Sequence, residues 1–374
     1  MEKTRLTIKE FLQRSADGVV IDVRSPAEFN HAHIPQSINI PLFNDEERKI
    51  VGTAYKQQTR EHAIKIGLDF FGPKMRKMVE KVEEEIDNWQ SGPGKETTKS
   101  VYLYCWRGGM RSAAVAWLLN LYGFRVYTLA GGYKAFRNYV LQTFHERYSL
   151  RVLGGFTGSG KTEVLHQLKS TGDKVIDLEA IANHKGSAFG NINMPPQPTQ
   201  EMFENILSCE LRQFATCNEE TSTTHSDSQL SILQSPIWIE DESQRIGNLN
   251  IPNGFWNTMR SAPIYFLDVP FEERLKHINE EYGNSDKQKL ADAIGRISKR
   301  LGGLETKNAL AFLNEDNIEE CFAILLQYYD KRYAKGLATR DNIDTLLRKI
   351  ECQIVTPENA SMLHRQHELI SPNG

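Results

Sequence analysis

The sequence predicts an α/β chain made of two successive domains, each built on a parallel sheet. Three observations carry that expectation. Short apolar strands alternate with helical segments before residue 135, and the same alternation restarts after a helix near residue 140. Strands separated by helices imply a parallel sheet with helices on its faces. The length of 374 residues suits two or three domains at roughly 150 residues each.

In the first half, Gly18–Asp22, Val101–Cys105 and Arg125–Leu129 read as buried strands. Ala113–Tyr122 reads as a helix stopped by Gly123 in the C-cap position. Residues 90–99 read as a loop from their Gly, Pro and Thr content. Ala135–Tyr148 reads as a helix joining the halves, because Phe136, Tyr139, Val140 and Phe144 recur at helical spacing. The expected boundaries are therefore 1–140 for the first domain, with a helical, basic insertion at about 42–90, then 141–148 for the joining helix and 149–374 for the second domain. There, Leu150–Gly154, Lys174–Asp177, Ile237–Glu240 and Ile264–Asp268 are strand-like. Asn218–Ser228 is almost wholly polar and reads as a surface loop or local insertion.

Composition narrows the function classes. Hydrophobic residues make up 40% and charged residues 25%, which excludes a disordered, collagen-like or fibrous chain. No apolar run is long enough to span a bilayer. Met1–Arg5 lacks the apolar stretch of a signal peptide, so a cytoplasmic location is expected. The five cysteines, Cys105, Cys209, Cys217, Cys321 and Cys352, are odd in number and scattered, with no CxxC pair. That argues against a disulfide framework or a zinc knuckle, and no metal ligand set is assigned. With a net charge of −3, a nucleic-acid partner must be held by a local basic patch.

Gly155-Phe-Thr-Gly158-Ser159-Gly160-Lys161-Thr162 matches G-x-x-x-x-G-K-[ST] and lies between a strand and a helix expected to begin near Thr162. The glycines let successive N–H groups point at an anion, and the helix N-terminus adds partial positive charge. Lys161 would contact terminal phosphates, and Thr162 would ligate Mg²⁺ if a nucleotide is bound. A chance Gly-rich turn is the bland alternative. An acidic partner is expected at a neighbouring strand end. Asp177, Glu240, Asp241 and Asp268 qualify by position. Asp241 is the best candidate, with a helix N-cap before Glu242 and Ser243 as its alternative. Arg296, Lys299 and Arg300 form a basic run that either closes over phosphates or faces solvent.

Cys105-Trp-Arg107-Gly-Gly-Met-Arg111-Ser112 joins a buried strand to a helix. Backbone amides, a helix dipole, Arg107 and Arg111 all favour the thiolate there, so Cys105 is the expected nucleophile. A buried, inert thiol is the alternative. The C-x5-R spacing suits both sulfurtransferases and cysteine phosphatases, since persulfide and phosphate chemistry both need an anion cradle. The basic segment 49–77 carries seven cations, including Lys56 and Arg60, against Glu61 and Asp69, with Tyr55, Phe70 and Phe71 interleaved. Such a mixture suits a single-stranded RNA loop, or else a solvated helix balanced by the acidic stretch Glu80–Asp87.

Ile21-Asp22-Val-Arg24-Ser-Pro-Ala-Glu28-Phe29, His33-Ile34-Pro35 with Asn39-Ile40-Pro41, and Gly131-Gly132-Tyr133 resemble the rhodanese signature. The match departs at His31-Ala32-His33 and Gln36, where that family often has Gly-His and Gly. A rhodanese-like domain followed by a P-loop NTPase-like domain resembles the bacterial tRNA 2-selenouridine synthase family over nearly the whole chain. Further family-like stretches are Glu47–Gln57, His184–Gly190, Trp238–Ser243 and Tyr328–Tyr333. The resemblance implies two substrates, geranyl diphosphate and selenophosphate, with no tightly bound cofactor and Mg²⁺ as an optional companion. It also implies a tRNA partner, whose wobble 2-thiouridine in the anticodon loop is first geranylated and then exchanged for 2-selenouridine. A rhodanese-type sulfurtransferase fused to a small-molecule kinase is the competing enzyme class, and would need ATP and no RNA. A nucleotide switch carrying a dead rhodanese domain is the non-enzymatic alternative, and Cys105 argues against it.

Overall fold

The structure, a computed structural model, describes residues 4–91, 99–219 and 236–363, with 214–219 as backbone only. The expected loop at 90–99 and the polar stretch at 218–228 fall for the most part outside these residues. The chain forms two compact units, Met1–Thr143 with Glu204–Cys209, and Phe144–Phe203 with Glu210–Gly374.

Among the described residues the first unit holds five strands, β1 (Arg5–Leu6), β2 (Val19–Asp22), β3 (Ile38–Asn39), β4 (Ser100–Tyr104) and β5 (Arg125–Leu129). Their order is β1-β5-β4-β2-β3, and every pairing is parallel. The central strands are apolar on both faces, with Ile21, Val101, Leu103 and Leu129 fully buried, as a sheet covered on both sides demands. The helix after β4 runs Met110–Tyr122, three residues longer at its start than the apolar spacing suggests. Gly123 ends it at φ 113°, a left-handed conformation that glycine takes without steric cost.

Three helices fill the insertion between β3 and β4. Asp45–Gln57 is capped by an Asn44–Glu47 box, Arg60–Phe71 by Thr59, and Met75–Gln90 buries Met78, Val79, Val82 and Ile86 against the sheet core. The helix after β5 spans Gly132–Thr143. The predicted joining helix is thereby corrected, since residues 144–148 are not helical. Phe144 kept the helical spacing because it too is buried, but against Phe255, 6.5 Å away in the second unit.

The second unit contains β6 (Leu150–Gly155), β7 (Lys174–Ile176), β8 (Ile237–Glu240), the short antiparallel pair β9 (Arg245–Ile246) and β10 (Leu249–Asn250), β11 (Ile264–Asp268) and β12 (Leu347–Glu351). Its parallel sheet has the order β12-β11-β6-β8-β7. The central strand β6 leads into the phosphate loop, so the loop lies at the carboxyl edge between the ends of β8 and β11, where open α/β sheets hold ligands. Helices Phe271–Tyr282, Lys287–Leu301, Gly303–Asn314 and Ile318–Ala338 share an apolar cluster that includes Leu290, Ile294, Ile297, Phe322 and Leu325. Among the described residues, no helix is long and apolar enough to cross a membrane.

Candidate functional site

Cys105 follows β4 directly and is only 3% exposed. Gly109 donates its N–H to Sγ at 3.4 Å, and the Ser112 hydroxyl lies 3.3 Å from it. Burial alone would push the thiol up. Hydrogen bonds from Ser112 and Gly109, with the nearby Arg111 charge, outweigh it and hold Cys105 below the ordinary thiol value. The loop backbone is pinned from below, because Tyr133 and Lys134 donate their N–H groups to the carbonyls of Cys105 (2.8 Å) and Trp106 (3.1 Å). This approach requires glycine. A Cβ on Gly132, at φ 60°, would lie 2.2 Å from the Cys105 oxygen, and one on Gly108 2.4 Å from the Leu129 oxygen. Gly131-Gly132-Tyr133 is thus the floor of the cysteine loop.

The two arginines part company. Arg111 donates to both oxygens of Glu28, at 2.7 and 3.4 Å, and Arg48 approaches the same carboxylate at 3.6 Å. Burial opposes that charge, but Arg111, Ser25 and Arg48 hold Glu28 below the usual carboxylate range. Arg107 is exposed and makes no hydrogen bond or ion pair with other described residues. It is the cation of the loop with an uncommitted charge. Beneath the signature, Arg24 is buried and pairs with Asp22, donates to the Ala32 carbonyl at 2.7 Å, and lies 3.9 Å from the centre of the Tyr133 ring. Gln36, where the signature often has glycine, sits at φ 66° in the left-handed region that favours glycine.

In the phosphate loop, Gly155, Gly158 and Gly160 all have positive φ, and a Cβ on Gly155 would meet the Ser159 hydroxyl at 2.4 Å. The following helix starts at Lys161, not Thr162. Lys161 Nζ donates to the carbonyls of Gly155 (3.0 Å) and Phe156 (3.4 Å). Thr162 donates its hydroxyl to Glu179 Oε2 at 3.3 Å, and Glu240 Oε2 accepts the Glu179 N–H at 3.2 Å. Ser159 Oγ and Glu240 Oε1 are buried without a protein partner. Burial, reinforced by neighbouring carboxylates, pushes Glu240 and Glu242 well above the usual range. Glu179 is pushed up to about 7, chiefly by burial, with Lys161 and Thr162 opposing the rise.

The acidic group that faces Thr162 is therefore Glu179, not Asp241. The Asp241 carboxylate is taken by the Tyr333 hydroxyl and by Arg340. It does not cap a helix either, since Glu242 and Ser243 lead into β9. Asp177 caps the short helix Leu178–Ala182, accepting the Ala180 N–H at 2.8 Å, and Asp268 lies 3.3 Å from Lys349 at the surface. The signal for Glu179 was available: a carboxylate three residues past a strand end, in the first turn of a helix. Arg296 donates to Ala188 O (2.8 Å) and Asn191 Oδ1 (3.2 Å), whereas Lys299 and Arg300 face solvent. Cys321 and Cys352 are pushed up to about 11, first by burial, and Cys209 is half-buried. Cys217 has no described side chain.

On the insertion, Lys49, Lys56, Arg60 and Lys65 are exposed, as is Tyr55 at 52%. Lys74 pairs with Glu47 and Arg76 with Glu80, and Phe71 is core, so the displayed surface is smaller than the sequence suggests. Among the described residues, no group of three or more His, Cys, Asp or Glu is arranged to hold a metal ion.

Two family models match the chain, "tRNA 2-selenouridine synthase AAA domain" over residues 148–355 and "Rhodanese-like domain" over residues 7–139. The tRNA 2-selenouridine synthase of Hydrogenovibrio crunogenus is 35% identical over 366 residues, covering 90% of this chain and 91% of that protein. The enzyme of the same name from Nitrosomonas europaea is 36% identical over 372 residues, covering 87% and 90%. Among solved structures, the N-terminal domain of a putative ATP/GTP binding protein from Clostridium difficile 630 is 38% identical, with a TM-score of 0.32 over 36% of this chain and 98% of that one.

Proposed function

The chain belongs to the tRNA 2-selenouridine synthase family, and we propose that it modifies wobble 2-thiouridine in tRNA anticodon loops in two steps, in the cytoplasm. The observation that carries this reading is the presence of two separate anion cradles, one floored by glycines beneath a cysteine whose pKa is lowered and one formed by a phosphate loop.

In the first step the thiocarbonyl sulfur attacks C1 of geranyl diphosphate, the C–O bond breaks, and diphosphate departs with the electron pair. The uracil loses its N3 proton as the new C–S bond forms. The amides of Gly158–Thr162 and the Lys161 ammonium are the groups suited to the departing diphosphate, whose charge grows as the bond breaks. In the second step selenium of selenophosphate bonds to C2 and geranylthiol leaves. Selenium enters already at the selenide level, so no oxidant is needed. The Se–P bond then opens, and Cys105, with its pKa lowered and Arg107 nearby in the loop, is the group suited to attack phosphorus before water releases phosphate. The exposed Lys49, Lys56, Arg60 and Lys65, with Tyr55, suit the RNA backbone and an unstacked base.

Lys161→Ala tests the first assignment. S-geranyl-2-thiouridine formation, followed by mass spectrometry of tRNA nucleosides, should be lost while fold and tRNA binding remain. Wild-type geranylation in this variant, or ATP hydrolysis coupled to selenation, would return Lys161 and Thr162 to ordinary nucleotide chemistry.

A further inference from the structure

Three stretches of the second unit, His184–Gly190, Trp238–Ser243 and Tyr328–Tyr333, have no part in the chemistry above. One helix binds all three to the phosphate loop. In Ile318–Ala338, the Tyr329 hydroxyl accepts the Ala188 N–H at 3.2 Å. The next residue, Asp330, accepts from both terminal nitrogens of Arg274, at 2.9 and 2.8 Å. Arg274 is 3% exposed and also donates to backbone, with Nη1 to Thr157 O at 3.0 Å and Nε to Val269 O at 3.2 Å. Its guanidinium also lies 5.0 Å from the centre of the Phe156 ring. Four residues along the helix from Tyr329, the Tyr333 hydroxyl accepts the Gly155 N–H at 3.3 Å and donates to Asp241, whose other oxygen is held by the buried Arg340.

The loop is thus gripped at Gly155 N by Tyr333 directly and at Thr157 O by Arg274, whose guanidinium is held by Asp330, three positions before Tyr333 on the same helix. Its glycines make room for the grip. A Cβ on Gly154 would sit 2.8 Å from the Tyr333 hydroxyl, and one on Gly158 2.8 Å from the Arg274 oxygen. A segment so rich in glycine has more backbone freedom to lose than any other on ordering. If that loss occurred at binding it would weaken every ligand the loop takes, whereas a loop ordered by folding binds at full strength.

We infer that Asp330 and Tyr333 are positioning residues of the phosphate site, holding the Gly155–Gly160 backbone in its anion-binding conformation before the anion arrives. The inference rests on the loop being a phosphate site, which is the reading above, but not on which phosphate chain it takes.

The test uses the full-length protein, titrated with inorganic pyrophosphate and separately with ATP. Tyr333→Phe removes the hydroxyl that bonds both Gly155 and Asp241, so the loop itself loses one hydrogen bond while the ring stays. It should weaken whichever anion the wild type binds by about fivefold, the worth of one buried hydrogen bond. Asp330→Asn should weaken it by about tenfold or more, because it also releases a buried guanidinium. In geranylation each variant should raise the KM for geranyl diphosphate by the factor it costs in anion affinity, while leaving kcat within about twofold. Selenation of RNA that already carries S-geranyl-2-thiouridine, which uses the cysteine loop, should be unchanged and reports an intact fold. Unchanged anion affinity in Tyr333→Phe, or a fall in kcat without a rise in KM, overturns the inference. Should Asp330→Asn fail to fold, Gly154→Ala, whose Cβ would meet the Tyr333 hydroxyl and the Ile264 side chain each at 2.8 Å without unpairing a charge, must show the loss in its place, and wild-type affinity in that variant overturns the inference equally. A wild type that takes ATP but not pyrophosphate refutes the diphosphate reading alone, and the positioning role is then judged on ATP.

Discussion

Replacing Glu179 by Gln should stabilise the protein above neutral pH and leave it unchanged in mild acid. The carboxyl stands at about 7 in the folded chain against an ordinary 4.5, pushed up first by burial and then by Asp177 against the pull of Lys161 and Thr162. Between those two values the folded state binds a proton that the unfolded state has already lost. Stability from this group is therefore fully present below about pH 4.5 and falls as pH rises through about 7. The interval is about 2.5 units, and at about 1.36 kcal/mol each it sets a ceiling of about 3 kcal/mol. Glu179 is partly exposed and shares its titration with Glu240 and Glu242, which brings the expected gain at pH 8 to about 1.5 kcal/mol. The Gln side chain keeps an acceptor for Thr162. Urea unfolding of wild type and variant at pH 5 and pH 8 measures the difference directly, with m-values compared to confirm the same transition. At pH 8 pyrophosphate affinity should also rise several-fold, because one anion fewer faces Lys161. A variant no more stable than wild type at pH 8, or a gain that persists at pH 5, refutes the reasoning.

Cys105→Ser preserves size and removes the thiol, so it should stall after geranylthiol has left, accumulating the Se-phosphorylated nucleoside and little free 2-selenouridine; loss of S-geranyl-2-thiouridine formation as well would mean that the steps share one site. The Cys105 thiol, held below its ordinary value, should react with iodoacetamide at a rate whose pH midpoint lies below that of Cys321 or Cys352 in the unfolded chain. Arg107→Ala should raise the KM for selenophosphate at least tenfold, and more than Arg111→Ala does, because Glu28 already occupies Arg111; the reverse order in steady-state kinetics would assign the anion to Arg111. Replacing Lys56 and Arg60 together by Ala should lower the salt slope of tRNA binding by about 1.4, at about 0.7 per single-strand phosphate contact, and an unchanged slope would assign both residues to solvent.

Much of this architecture is legible in the sequence because it is written as local signals. The strands β2, β4, β5, β6, β8 and β11 are apolar runs, and both anion loops are dense in glycine at fixed spacing. The strands that went unread lack such runs: β1 and β3 are two residues long, and β12, Leu347-Arg-Lys-Ile-Glu351, is an edge strand with only Ile350 deeply buried. Site geometry was legible where the backbone decides it, as in the cysteine and phosphate loops. It was not where a distant side chain decides it. Nothing near Asp241 in sequence announces Tyr333 and Arg340, which lie 92 and 99 residues away. Likewise Glu28, 83 residues from Arg111, takes the charge that sequence spacing assigned to the anion.

The stretch Glu204–Cys209, counted with the first unit although it is encoded after the phosphate loop, bears on how this protein is made and cut. Asn205 donates to the His33 carbonyl and the Tyr133 hydroxyl, each at 2.9 Å, while Arg137 pairs with Glu204. Tyr133 is the buried ring whose N–H pins the Cys105 carbonyl. On the ribosome, the first unit therefore reaches its final state only after residue 209 has emerged, long after its own sheet is complete. A fragment ending near residue 148 would carry the cysteine loop and its sheet but lack Asn205 and the Glu204 carboxylate. Such a fragment should unfold at lower temperature and hold its thiolate less rigidly than the same residues in the whole chain. Separating the two half-reactions by cutting at the apparent domain boundary would thus perturb the very loop under study, and point substitutions in the intact chain are the cleaner instrument.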